Sequence, residues 1–151
     1  MDNVHFTSKS NEWETPQDFF IKLDQEFHFT LDPCATVENA KCDKYFTVED
    51  DGLSRSWDSE RVFCNPPYGR EIGKWVKKAS ESKGLVVMLI PARTDTLYFH
   101  NYIYEKAEIR FLKGRLKFKN KVITECAGKT ALSPAPFPSM VVIFNNKRRD
   151  S

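Results

Sequence analysis

Four consecutive residues, Asn65-Pro66-Pro67-Tyr68, form the segment best suited to carry chemistry. The side-chain oxygen of Asn65 and the main-chain carbonyl of Pro66 are two acceptors, and the proline rings fix φ and hold that carbonyl rigidly. Two acceptors aimed at the hydrogens of a planar amino group would draw charge onto its nitrogen. Tyr68 offers a flat face on which an extruded base could stack. The pattern predicts a site for a planar amino group; the alternative is a rigid turn, because Asn-Pro is a turn-forming dipeptide.

Strands and helices must position this segment. The apolar run Arg61–Cys64 leads directly into it and is predicted to be a strand that the two prolines end. Leu85–Ile90 is typical of a strand buried on both faces. Thr15 is expected to cap the first helix. Further strands are predicted at 28–31, 45–47, 107–112, 115–118 and 139–144, and helices at 16–26, 37–42, 72–83 and 96–105. Strands that alternate with helices predict an α/β domain with a mostly parallel sheet.

Polar residues follow four of these strands. In open α/β sheets, ligands bind beyond the carboxyl ends of the strands, so we expect these residues to line one rim. Arg93 either lines the site or braces its loop through an ion pair with Asp95. The four segments are Asp32-Pro33-Cys34-Ala35, Asp50-Asp51, Asn65–Tyr68 and 91–95.

A basic stripe follows later in the chain, where Lys113, Arg115, Lys117, Lys119 and Lys121 alternate with apolar residues. In a strand, this period of two would bring all five cations to one face. Such a face could hold phosphates. It could equally be an edge strand that its lysines protect from aggregation.

The bulk composition limits the classes of protein. A chain of 151 residues with net charge +2 is expected to form one domain, over 13–145, with a flexible N-terminus at 1–12 and a basic tail at 146–151. No apolar run approaches the ~20 residues of a membrane span, and no secretion signal is seen, so we expect a cytoplasmic protein. The four cysteines lack the close spacing of zinc ligands, so no metal is expected.

Six motifs in order resemble the phage-type DNA N-6-adenine-methyltransferase (Dam) family, within the Asn-Pro-Pro-Tyr class I methyltransferases. The resemblance covers about 12–144. It implies a compact, shortened Rossmann-like class I methyltransferase fold with three α/β/α layers. It also implies S-adenosylmethionine-dependent methyl transfer to N6 of an adenine flipped out of duplex DNA. The motifs are Glu12-Trp13-Glu14-Thr15-Pro16, 31–36, Asp51-Gly52-Leu53 with Trp57, 65–69, 91–96 and Ala135-Pro136-Phe137-Pro138-Ser139.

The same resemblance implies roles for individual residues. Asp32 would help to hold the methionine or amino end of the cofactor, and Asp50 or Asp51 would contact its ribose or help to position the base. Phe137 would stack on the base opposite Tyr68, and 113–138 would contact DNA. The catalytic residues would be Asn65, Pro66, Pro67 and Tyr68. The cofactor-binding residues would be Trp13, Thr15, Pro16, Asp32, Pro33, Cys34, Ala35, Asp50, Asp51 and Asn65; the substrate-binding residues would be Tyr68, Arg93, Phe137, Arg115, Lys117 and Lys119.

The chain departs from the family pattern in two places. No glycine occurs between Asp32 and Gly52, where a glycine-rich cofactor loop is usual, and only 13 residues separate Thr47 from Arg61. One central unit of the fold is therefore expected to be shortened. The surface available for contact with DNA is small, which implies relaxed sequence specificity or a homodimer. We also expect the protein to be encoded by a phage or prophage and to act in a bacterial cell. The alternatives are a non-catalytic DNA-binding or antirestriction module on the same fold, and an N-methyltransferase acting on protein glutamine or RNA.

Overall fold

The computed structural model describes residues 13–119 and 132–146, with the side chains of Lys119, Leu132 and Ser133 left out. Two α-helices, a 3-10 turn and a short π-helix accompany six strands in this part of the chain. In chain order these are α1 (Gln17–Phe27), the 3-10 turn Gly52–Ser54, β1 (Arg61–Cys64), α2 (Ile72–Glu81), β2 (Leu85–Pro91), the π-helix Phe99–Ile103, β3 (Glu108–Phe111), β4 (Lys117–Lys119), β5 (Leu132–Pro134) and β6 (Ser139–Asn145).

The main sheet is mixed, with the strand order β1-β2-β6-β3. β1 and β2 are parallel, whereas β6 pairs antiparallel with both β2 and β3. The prediction of a mostly parallel sheet is therefore wrong for the pairing of neighbours. The physical reason is that the last strand inserts between β2 and β3, which run in one direction, and itself runs in the other. An apolar run of residues carries no sign of strand direction, so the sequence pattern did not reveal this.

Two predicted strands are reduced to single bridges beside β1. Leu31 forms a parallel bridge with Val62, and Asp32 forms one with Tyr45. The amide of Phe63 donates to the carbonyl of Leu31 at 3.0 Å, so the extended segment continues the sheet. Across the sheet the order is thus Tyr45, Leu31–Asp32, β1 and β2. The helix predicted at 37–42 is absent; turns and bends occupy that range.

The core forms around β2, in which all seven residues are buried. Because successive side chains of a strand point to opposite faces, both faces of β2 are covered. Phe20 of α1 packs edge-on against Phe63 of β1, with 5.1 Å between ring centroids. The helix predicted at 72–83 is confirmed as α2, which buries Ile72, Trp75, Val76 and Ala79. The helix predicted at 96–105 is shorter in the structure: Leu97 and Tyr98 are α-helical and lead into the π-helix Phe99–Ile103.

Gly52 brings two of the predicted rim segments into contact. A Cβ atom on Gly52 would lie 2.1 Å from the carbonyl oxygen of Pro33, a distance that only glycine permits. The indole of Trp57 donates to the carbonyl of Gly52 at 2.9 Å, and Trp57 in turn stacks on Trp75 of α2. The loop after Asp32 lacks a glycine of its own, and the facing loop supplies one. The contact between Gly52 and Pro33 thus joins the two loops where the central part of the fold is shortened.

We expect Gly52→Ala to destabilise the fold by about 3 kcal/mol, because the new methyl group meets a backbone oxygen that cannot rotate away. Gly73→Ala is the matched control: its Cβ would lie 3.8 Å from the nearest atoms of Tyr98, and alanine favours a helix interior. The free energies of unfolding should be compared by urea titration. Equal stability of the two variants would contradict the close approach at Pro33.

Candidate functional site

The Asn65 carboxamide is held in one orientation at the end of β1. Its Nδ2 donates to the carbonyl oxygen of Trp13 at 2.5 Å and to Oγ1 of Thr15 at 2.9 Å. A carbonyl oxygen only accepts hydrogen bonds, so Nδ2 rather than Oδ1 must face Trp13. Oδ1 is left shielded from solvent, with no hydrogen-bond partner among the described residues. The result is a fixed, unpaired acceptor.

The Thr15 side chain therefore binds Asn65 and does not cap the helix. The predicted helix cap at Thr15 is wrong: α1 is preceded by Pro16, and no side-chain capping bond is formed. The carbonyl of Pro16 accepts the first bond of the helix, from the amide of Phe20 at 3.0 Å. Thr15 is 2% exposed, and its hydroxyl accepts from Asn65.

Tyr68 is anchored to the neighbouring strand. Its hydroxyl donates to the carbonyl oxygen of Leu89 at 2.9 Å. β1 ends at Cys64, opposite Met88, so Tyr68 bonds to β2 one residue beyond the last pair of strand partners. Burial raises the pKa of Tyr68 well above its ordinary value, and the hydroxyl keeps its proton. Together with the buried Pro66, this bond fixes the course of the loop after Asn65.

Four aromatic rings meet above this loop: Trp13, Tyr68, Phe118 and Phe137. Phe137 contacts Trp13 and Tyr68 edge-on, with centroid separations of 5.4 Å and 5.5 Å. Phe118, which is fully buried, contacts the same two rings at 5.8 Å and 6.4 Å. Direct edge contact leaves no room for a base between Tyr68 and Phe137. A base sandwiched by these two residues, as the sequence predicts, requires one of the rings to move.

A cavity of about 410 Å³ lies beside Tyr68, on the β2 side of β1. Arg93 is exposed at its margin, and within the described part of the chain it forms no ion pair with Asp95. The walls come from the ends of β1 and β2, the start of α2 and the segment before β6. The residues that line the cavity are Trp13, Tyr68, Gly69, Ile72, Pro91, Arg93, Thr96, Tyr98 and Phe137.

Asp32 lies on the other side of β1 and is 4% exposed. Its two carboxylate oxygens accept the amides of Cys34 at 3.3 Å and Lys41 at 3.0 Å. Burial raises the pKa of Asp32 to about 6, although both hydrogen bonds act in the opposite direction. Each oxygen retains a further lone pair, so the carboxylate can accept from an additional donor.

The two candidate acids before Gly52 differ in their surroundings. Oδ2 of Asp50 accepts the amide of Thr47 at 2.9 Å and its hydroxyl at 3.2 Å, so this carboxylate closes its own turn. Asp51 is exposed and adopts the left-handed conformation, with φ of 56°. Asp51 therefore presents the more available carboxylate on this side of β1.

The other predicted cofactor-binding residues mainly shape the loop after Asp32. Pro33 is buried against Gly52. Ala35 is buried, and its amide donates to the carbonyl of Phe46 at 3.0 Å. Cys34 is half-buried, in no disulfide, and its amide donates to Asp32. Pro16 and Pro67 are both half-buried.

The basic stripe does not form one strand face. Gly114 has a φ of +75° in a bend, and in the described part of this segment only Lys117–Lys119 pairs as a strand. The prediction of five cations on one face is wrong because this bend interrupts the period of two. Lys113, Arg115 and Lys117 are nevertheless exposed, whereas the side chain of Lys119 and the whole of Lys121 lie outside the description. β4 pairs antiparallel with β5.

Two residues of the site escaped the sequence analysis. Phe118 was assigned only to the apolar side of a strand, yet it joins the aromatic cluster. Tyr98 lines the cavity, and its hydroxyl is shielded from solvent. The only sequence signal for either is an aromatic residue close to a predicted site segment. In the described ranges, no group of three residues could hold a metal ion, and no helix could cross a membrane.

Comparison with known proteins identifies the family of this chain. The sequence model of the family described as DNA N-6-adenine-methyltransferase (Dam) matches residues 4–151, nearly the whole chain. The chain belongs to this family. The Dam-family chain is 29% identical over 149 residues to the DNA N-6-adenine-methyltransferase of Haemophilus phage HP1 (strain HP1c1), covering 93% of this chain and 83% of that protein.

A second relative of the Dam-family chain is longer. The Dam-family chain is 33% identical over 109 residues to the DNA N-6-adenine-methyltransferase of Escherichia phage T1. The match covers 69% of this chain but only 45% of the T1 protein. A solved structure from Pyrococcus horikoshii, of a protein named for RNA methyltransferase activity, covers 68% of this chain and 51% of its own, with 15% identity and a TM-score of 0.46. That likeness is too low to support an argument.

The raised pKa of Asp32 predicts a pH dependence of stability. Between the ordinary pKa of 3.8 and about 6, the folded protein holds a proton that the unfolded chain has released. The free energy of unfolding should therefore fall as the pH rises through this window, by roughly 3 kcal/mol, and stay level above it. The difference between wild type and Asp32→Asn, measured by urea unfolding from pH 4 to 7, isolates this effect. A difference independent of pH would contradict it.

Proposed function

We propose that this chain transfers the methyl group of S-adenosylmethionine to N6 of adenine in DNA, on a compact, shortened class I methyltransferase fold of three α/β/α layers. The observation that carries the proposal is the Asn65 carboxamide. Trp13 and Thr15 hold its nitrogen, and Oδ1 remains a buried acceptor without a partner. Such an acceptor suits one hydrogen of an exocyclic amino group. Membership of the Dam family supports adenine as the base.

The division of polar groups about β1 supports separate places for cofactor and base. Asp32 and Asp51 lie on the side of Leu31 and Tyr45, and the cavity lies on the side of β2. We propose that Asp32 accepts from the amino group of the cofactor and that Asp51, rather than Asp50, accepts from its ribose hydroxyls. Trp13, Pro16, Pro33, Cys34 and Ala35 would form the surrounding wall.

Asn65 and Pro66 would prepare the amine for attack. The N6 lone pair is delocalised into the adenine ring, so two acceptors that bind its hydrogens return electron density to the nitrogen. S-adenosylmethionine supplies an activated methyl group on its sulfonium. Formation of the N–C bond would break the C–S bond and leave its electron pair on sulfur, and the surplus N6 proton would leave to water. Tyr68, held by Leu89, would provide the face against which the base stacks.

Access of a base would require the aromatic cluster to open. Trp13, Phe118 and Phe137 belong to three separate segments: the one before α1, β4, and the one before β6. Enzymes that modify a base take it out of the stack into a pocket, and the cost of flipping would be offset by contacts with Tyr68 and Asn65.

The test of this function is to incubate the protein with methyl-labelled S-adenosylmethionine and mixed-sequence duplex DNA, then to digest the DNA to nucleosides. Label in N6-methyl-2′-deoxyadenosine supports the proposal. Label found only in protein or RNA would show that one of these, and not DNA, is the substrate. DNA binding without any transfer of label would favour a non-catalytic DNA-binding or antirestriction module.

In the same assay, Asn65→Ala should lower kcat by at least about 100-fold, because it removes a preorganised acceptor. Asn101→Ala is the matched control: Asn101 is an exposed amide in the π-helix Phe99–Ile103, and its loss should leave kcat unchanged. Thermal unfolding of both variants checks that the fold persists. A well-folded Asn65→Ala variant with the wild-type rate would remove this residue from the mechanism.

We propose that the exposed cations Arg115 and Lys117, with Lys119 and the rest of 113–138, contact the DNA backbone beside the cavity. Phe118 lies within the same strand and reaches the aromatic cluster, so this surface adjoins the site. The protein would act in the cytoplasm of a bacterial cell. A homodimer, which would double the DNA-contacting surface, remains a prediction that sedimentation can test.

The loss of one phosphate contact should be measurable. Lys117→Ala should lower the slope of log K against log salt for DNA binding by about 1, since one fewer counterion is released. Lys22→Ala, which removes an exposed lysine of α1, should leave the slope unchanged. Fluorescence anisotropy at several salt concentrations gives both slopes. Equal slopes for wild type and Lys117→Ala would exclude this lysine from the DNA contact.

A further inference from the structure

Unpaired buried polar atoms collect at one end of the sheet. Among the described residues, four buried side-chain atoms lack a hydrogen-bond partner: Asn65 Oδ1, Tyr98 Oη, Ser139 Oγ and Asn146 Oδ1. Asn65 follows β1, Ser139 is the register partner of Pro91, and Tyr98 lines the cavity together with Pro91. Native proteins leave few buried polar groups unpaired. Three at one end of the sheet indicate a missing polar ligand.

Tyr98 occupies a special position in this group. Its side chain lies over α2, where a Cβ atom on Gly73 would be 3.8 Å from both Cβ and Cδ2 of Tyr98. It directly precedes the π-helix Phe99–Ile103, and such segments frequently occur at functional sites. Burial raises the pKa of Tyr98, although the neighbouring Thr96 hydroxyl acts in the opposite direction, so the Tyr98 hydroxyl keeps its proton and can donate. Tyr98 thus combines a cavity wall, a shielded hydroxyl and a local distortion of the helix.

We propose that Tyr98 contributes to recognition of the target base by donating its hydroxyl hydrogen to a ring nitrogen next to the amino group of the adenine. This inference rests on the proposed function. Asn65 Oδ1 needs a donor, and the Tyr98 hydroxyl needs an acceptor. Adenine carries an N6 amino donor flanked by the ring acceptors N1 and N7. Guanine and thymine present a carbonyl oxygen at the equivalent position, which would face Asn65 acceptor against acceptor.

The first test combines Tyr98→Phe with altered bases. Mixed-sequence duplexes that contain adenine, 1-deazaadenine or 7-deazaadenine are methylated with labelled S-adenosylmethionine. On adenine, Tyr98→Phe should lower kcat/KM by about tenfold, the effect of one lost hydrogen bond. On the analogue that lacks the contacted nitrogen, wild type and variant should have the same rate. Tyr104→Phe makes the same chemical change at a residue that is 52% exposed and should have no effect.

Stability of the unliganded protein separates a functional from a structural role. Tyr98→Phe removes a buried, unpaired polar atom, so its Tm should equal or exceed that of wild type. A lower Tm together with an equal loss of rate on all three bases would make Tyr98 merely structural. A wild-type rate on adenine in the Tyr98→Phe variant would likewise overturn the proposal.

A binding measurement distinguishes failure of this inference from failure of the proposed function. With saturating S-adenosylhomocysteine filling the cofactor site, binding of free 2′-deoxyadenosine and its 1-deaza and 7-deaza analogues is followed by ligand-observed NMR. Wild type should bind one analogue more weakly than 2′-deoxyadenosine, and Tyr98→Phe should lose this difference. A protein that methylates no DNA but makes this distinction would refute the function and support the role of Tyr98. Equal binding of all three nucleosides by wild type would overturn the role.

Discussion

The hydrogen bonds from the Asn65 amide to Trp13 and Thr15 connect the segment before α1 to the loop after β1. They decide which end of the carboxamide is left as an acceptor, and they bring the Trp13 ring over the loop, where it meets Phe118 and Phe137. The orientation of Asn65, the closure of the aromatic cluster and the start of α1 thus depend on one amide group.

A second constraint replaces the part of the fold that the chain lacks. With few residues between Tyr45 and β1, the loops after Asp32 and Asp51 cannot be held apart by a full strand and helix. Gly52 lets them touch instead, and Trp57 ties the contact to α2 through Trp75. The stacked indoles therefore hold together the two loops that follow Asp32 and Asp51, and no glycine-rich loop is needed for this contact.

The sequence predicted those elements whose apolar pattern is local and strong. The buried faces of β2 and α2 and the extents of β1 and β6 follow from runs and periodicities that tertiary contacts did not override. The loop at Asn65 was predicted because proline restricts the backbone directly. The direction of β6 and the bend at Gly114 depend on how distant segments pack, and a single pattern of residues does not encode that. The role of Thr15 was misread for the same reason: its partner lies 50 residues away.

Because Asn65 Oδ1 is shielded, its desolvation cost arises on folding and not on binding. An acceptor open to solvent holds water, and that water must be stripped away each time a substrate arrives. Here the desolvation of Oδ1 takes place during folding, because packing already excludes water from it. An amino group that reaches this oxygen would gain a hydrogen bond without displacing an earlier one. The folded chain is therefore less stable by the cost of leaving Oδ1 unpaired, and binding of a base would recover this cost.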